Sequence, residues 1–201
     1  MLIAEIPVLT FSDPGAFARW LTSQPMESRG AWLKFAKKGA PKATISKSDA
    51  IDVALAHGWI DGQLGGVDEC YFKTLFTPRK PGSAWSKLNR ERVEQLIASG
   101  QMTKAGLAQV ELARADGRWD AAYASQRTAE SPDDLKAALE DNAAAKKLFE
   151  ALDSANRYSI IYRVNQAKTA EKRAGKIADL VGMLNRGETI HPRRTKRTAR
   201  T

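Results

Sequence analysis

The chain has 201 residues, of which 43% are hydrophobic and 27% charged, which suits one sizeable core or a compact core with a satellite. Thirty-two Lys and Arg against 23 Asp and Glu give a net charge of +9. This composition excludes collagenous, wholly disordered and disulfide-scaffold classes.

In chain order, residues 12–23 (SDPGAFARWLTS) predict a short helix, with Ser12 or Asp13 as cap and Pro14 in the first turn. Residues 30–37 alternate, with Ala31, Leu33 and Phe35 on one face and Trp32 and Lys34 on the other, which predicts a strand. Ser46-x-x-Asp49 is a capping box that opens a helix over 47–57, ended by Gly58. Residues 59–66 (WIDGQLGG) carry three glycines and predict only a strand end and a tight turn. Residues 70–77 alternate again, Phe72, Thr74 and Phe76 opposite Tyr71, Lys73 and Leu75, and Pro78 and Pro81 then stop the sheet.

Helices are predicted at 86–98, 104–116, 132–141 (Ser131 as cap, Pro132 at the first helical position), 143–152, 155–168 and 170–186. Residues 120–131 read as a long loop or hinge. Strands followed by helices predict an α+β fold, with a small antiparallel sheet packed with helices in the N-terminal half and an all-helical C-terminal half. The expected organisation is an α+β domain over 1–120, a helical subdomain over 121–192 and a basic, disordered tail over 193–201. The tail supplies five of the nine net charges, leaving +4 for the rest.

The chemistry that is missing narrows the function. Two histidines and the single Cys70 do not assemble an ordinary structural zinc site, so no metal is expected. No Walker A, G-x-G-x-x-G, G-x-S-x-G or H-E-x-x-H pattern is present, and no cofactor is expected. MLIAEIPVLTF lacks the features of a signal peptide, no apolar run is long enough to span a bilayer, and a lone cysteine does not call for an oxidising compartment. A cytoplasmic protein is the expectation.

Aromatic, arginine and carboxylate residues concentrate on glycine- and proline-rich segments between Lys34 and Trp85, the composition of a binding site. Trp59, Asp61, Arg79 and Trp85, supported by Lys34, are the candidate ligand-binding residues for a small anion, which Arg79 is suited to grip bidentately. His57 and Asp61 are weak catalytic candidates as an acid–base pair, although a histidine at a helix end is equally a cap. Non-specific nucleic-acid binding through the tail is a third reading. A small sheet with an exposed edge is also able to pair with a second copy, which keeps a homodimer open.

WLKFAKK (32–38), DAIDVALAHGWIDG (49–62), FTPRKPGSAWSKLNRERVEQLIASGQM (76–102), ADGRWDAAY (115–123), YRVNQAKTAEKRAGKI (162–177) and GETIHP (187–192) together resemble the YdeI/OmpD-associated, or bacteriocin-protection, family from about Trp32 to Pro192. The resemblance implies a link to stress or to resistance against antimicrobial peptides. It brings no agreed catalytic mechanism, so whether the chain is an enzyme stays open.

Overall fold

A computed structural model of the chain describes residues 6–25, 27–126, 128–167 and 169–192. The predicted tail, and Lys168 in the predicted helix 155–168, lie outside the described residues. The chain forms two compact units, one ending at Ala122 and the next beginning at Tyr123.

The first unit is α+β. Its elements are β1 (Val8–Leu9), α1 (Pro14–Thr22), β2 (Ala31–Ala36), α2 (Lys47–Ala56), β3 (Trp59–Gly66), β4 (Tyr71–Pro78), α3 (Lys87–Ala98) and α4 (Lys104–Ala115). The four strands lie in the order β1-β2-β4-β3. β4 is antiparallel to both β2 and β3, whereas β1 adds a short parallel edge to β2. That edge strand lies outside the sequence expectation, because two residues are too few to show alternation.

The glycine-rich segment 59–66 is a complete strand rather than a strand end. Its ladder to β4 runs from Trp59↔Pro78 to Gly66↔Phe72, with a shift between Asp61 and Leu64 that takes up Gly62 as an irregularity, while Gly65 and Gly66 pair in register. Pro78 ends β4 without breaking the ladder earlier, since a missing N–H is harmless in the last pair.

Alternation decides which sheet face is covered. Ala31, Leu33, Phe35, Trp59 and Phe76 point inward and pack with Phe17 and Leu21 of α1 and Ala50 and Ala54 of α2. Leu55 and Ala56, on the other side of α2, join Trp85, Val93, Val110, Ala113 and Trp119 in a second core with α3 and α4. The caps follow the sequence: Ser46 Oγ accepts from Asp49 N–H at 3.1 Å, Ser86 Oγ from Asn89 N–H at 3.1 Å and Thr103 Oγ1 from Gly106 N–H at 3.3 Å.

The second unit is helical, with α5 (Asp133–Glu140), α6 (Ala143–Glu150), α7 (Ser154–Asn165) and α8 (Ala170–Asn185). Pro132, not Ser131, is the N-cap of α5, because its backbone is extended (φ −68°, ψ 155°) and it makes no side-chain cap bond. The acidic first turn, Asp133 and Asp134, complements the helix dipole instead. Leu135, Leu139, Phe149, Ile160, Val164, Leu180 and Leu184 form the core. Asn156, which is 1% exposed, ties the segment after α8 to α7: its Oδ1 accepts from His191 N–H at 2.8 Å and its Nδ2 donates to His191 O at 3.2 Å.

Arg173 on α8 donates through Nη2 to Asp134 Oδ1 at 2.9 Å, and this hydrogen bond holds the Asp134 carboxyl below its ordinary range. A carboxylate with a depressed folded value stabilises the fold above its unfolded pKa, about 3.9, and the effect disappears as pH falls through the folded value. The pair is partly exposed, so Arg173→Gln should cost no more than about 1 kcal/mol at neutral pH. Urea unfolding should show the variant and parent converging as pH falls through the folded value of Asp134; a loss of equal size at low pH would rule out the ion pair as its source.

Candidate functional site

The loop after β4 is fixed from several sides. Arg79 donates its backbone N–H to Gly58 O at 3.0 Å and lies 4% exposed, with its guanidinium carbon 3.4 Å from the centre of the Trp85 ring. Arg79 Nη1 also donates to Ala84 O at 3.3 Å. Trp85 meets Trp119 edge-on, ring centres 4.9 Å apart. Lys80 N–H donates to Ser83 Oγ at 3.1 Å while Ser83 N–H returns to Lys80 O at 3.0 Å, and Arg118 Nη1 reaches Ser83 O at 2.8 Å. The structure thus brings the predicted residues Arg79 and Trp85 together, but their meeting is a buried stack, and the exposed cation of this loop is Lys80.

Lys80 faces a second segment that its sequence position does not announce. Gly30 has φ +89°, and a Cβ there would lie 2.1 Å from Phe76 O, so only glycine lets the chain cross β4 this closely. That crossing brings Glu27, Ser28 and Arg29 to the end of β4. Together with Thr77, Pro78 and Lys80 they line a cavity of about 370 Å³. Ser28 Oγ accepts from Gly30 N–H at 3.1 Å, which leaves the hydroxyl proton for another acceptor. The corner thus offers two cations and two hydroxyls against one carboxylate.

The other predicted residues lie elsewhere. Trp59 is 1% exposed in the core between sheet and helices, its ring edge-on to Trp20 at 5.6 Å. Asp61 faces Lys47 at the start of α2, Nζ to Oδ2 3.5 Å. Lys34 points from the opposite sheet face, its ammonium 4.6 Å from the centre of the Tyr71 ring. Lys34 and Trp59 thus occupy opposite faces of one sheet and do not share a pocket. His57 is the C-cap residue of α2, and its Nδ1 lies 2.8 Å from Val53 O. A carbonyl only accepts, so Nδ1 carries the proton in that bond. Among the described residues no hydrogen bond or ion pair joins His57 to Asp61. Nor do they include a group of three or more His, Cys, Asp or Glu able to hold a metal ion.

Residues 9–109 match the family described as a domain of unknown function (DUF8412), and residues 128–187 match the one described as bacteriocin-protection, YdeI or OmpD-associated. The chain belongs to the first of these families, and its helical unit is similar to the second. The second match covers YRVNQAKTAEKRAGKI in the helical unit, so the YdeI/OmpD-associated character rests on α5 to α8. The motifs at 32–38, 49–62 and 76–102, the last of which holds the Arg79–Trp85 stack, and the corner residues Glu27, Ser28 and Arg29 fall within the domain of unknown function. No curated protein and no solved structure matches the chain.

Proposed function

We propose that the chain is a cytoplasmic small-anion-binding protein and that the corner formed by Ser28, Arg29, Thr77 and Lys80 is its site. The observation that carries this reading is the cavity of about 370 Å³ whose lining includes Arg29, Lys80, Ser28 and Thr77 beside the single carboxylate of Glu27. The volume suits a compact phosphate or carboxylate compound. Arg29 supplies a planar, bidentate donor set and Lys80 a mobile point charge, the two usual ways of holding an oxyanion. The buried Arg79 stack fixes the loop from which Lys80 projects, so that Arg79 acts as a positioning residue.

The family description speaks of protection against bacteriocins. A chain of net charge +9 repels cationic peptides, so direct sequestration of such peptides is electrostatically unfavourable. A role on an anionic small molecule, tied to stress, agrees better with this charge. Among the described residues no helix is long and apolar enough to cross a membrane.

Titration calorimetry with inorganic phosphate and with citrate tests the site. Arg29→Gln and Lys80→Gln should each weaken binding by about tenfold, the loss of one charge-assisted contact. Unchanged affinity in both variants would remove the corner as the site.

A further inference from the structure

The outer face of the sheet takes no part in the corner pocket or in the cores. Strand alternation places Val8 of β1, Trp32 and Lys34 of β2, and Tyr71, Lys73 and Leu75 of β4 on this face. All of them are half-buried or exposed, and none belongs to a core cluster. Lys34 and Lys73 are directly opposite in the antiparallel register. Like charges in that position repel, and among the described residues neither lysine forms an ion pair.

Each ammonium instead sits over an aromatic ring of the neighbouring strand. Lys34 Nζ is 4.6 Å from the centre of the Tyr71 ring, and Lys73 Nζ is 4.7 Å from that of Trp32. Gly65 of β3 lies opposite Lys73, where a Cβ would come within 3.4 Å of Lys73 Cε and 3.8 Å of Trp32 Cζ3. A glycine at that point leaves room for both side chains to lie flat. The two rings are four residues apart along the strands, about 13 Å, with the lysine pair midway between them.

We infer that this face binds single-stranded nucleic acid, with bases stacked on Trp32 and Tyr71 and a phosphate held between Lys34 and Lys73. Only a ligand with both anionic charge and planar faces uses all four side chains. As the strand docks, each ammonium moves from its ring to the backbone phosphate, which relieves the lysine–lysine repulsion and opens the ring to a base. An acidic peptide would neutralise the lysines but leave the rings without a stacking partner. The surroundings reinforce the charge match, since residues 29–90 carry 11 basic and 5 acidic side chains. This site is separate from the corner pocket and does not depend on it.

Fluorescence anisotropy of the full chain with a labelled oligothymidylate, and with an abasic oligonucleotide of the same length, tests the assignment across a salt series. The Lys34→Gln/Lys73→Gln variant should bind oligothymidylate roughly tenfold more weakly, with a salt slope shallower by about 0.7 for the one phosphate no longer neutralised. Trp32→Leu and Tyr71→Leu should each weaken oligothymidylate while leaving the abasic strand unchanged. A parallel variant with serine at Arg193, Arg194, Lys196, Arg197 and Arg200 separates the tail from the sheet. The proposal is overturned if this tail variant loses all binding while the double lysine variant binds as the parent does. It is equally overturned if the parent binds the abasic strand as tightly as oligothymidylate, or if polyglutamate competes as well as the oligonucleotide.

Discussion

Gly106→Ala should destabilise the N-terminal unit by about 3 kcal/mol, the upper part of the range for overpacking. Helix propensity alone predicts the opposite, since alanine gains about 1 kcal/mol over glycine inside a helix. Packing reverses the sign. A Cβ at Gly106 would lie 2.2 Å from Ala56 O and 2.8 Å from Ala56 C, both backbone atoms at the end of α2. They have little room to retreat, because Ala56 O accepts from Thr103 N–H at 3.0 Å and from Thr103 Oγ1 at 2.7 Å. Met102 Cε, 2.8 Å from the same point, can move aside; the backbone cannot. Urea unfolding followed by far-ultraviolet circular dichroism, which reads the helices of both units, measures the change, with Gly175→Ala as the reference, since a Cβ at Gly175 on α8 meets nothing within 4 Å. A rise in stability for Gly106→Ala comparable to that of Gly175→Ala would mean that α4 does not approach α2 this closely.

Truncating Trp85 is expected to have a larger effect still. Trp85→Ala should cost about 3–5 kcal/mol, because the indole is 1% exposed and its removal leaves a cavity in the core shared by α2, α3 and α4. Part of that loss belongs to the cation–π contact with Arg79, whose guanidinium carbon is 3.4 Å from the ring centre. Arg79→Met should therefore be less damaging in the Trp85→Ala background than in the parent, with a coupling of about 1–2 kcal/mol in a double-mutant cycle. Strict additivity of the two substitutions would show that the stack contributes no stability of its own.

The sequence made the covered face of the sheet readable through period-two alternation at Ala31, Leu33 and Phe35, and again at Phe72, Thr74 and Phe76. The helices of both halves were readable from their caps and from the glycines that end them. β3 was harder, because three glycines lower its local preference for a strand and its pairing with β4 supplies what the local sequence lacks. The same alternation that made the fold readable also divides the predicted site. Trp59 follows the inward set, Lys34 the outward one, and two residues on opposite faces of a sheet do not meet. Arg79 and Trp85 are close in sequence and do meet, but the burial of their contact had no local signature. Ser28 and Arg29 gave none either, since what brings them to Lys80 is the close crossing at Gly30, a tertiary contact between segments almost fifty residues apart.

The alanine-rich α2 has a consequence for how the first unit comes apart. Ala50 and Ala54 face one core and Leu55 and Ala56 the other, so a single helix serves as the common wall of both. Melting α2 would open both interiors at once, and losing either interior would strip one side of the helix. The sheet layer and the α3–α4 hairpin are thus bound into one cooperative unit, without a low-energy intermediate in which one of them persists alone.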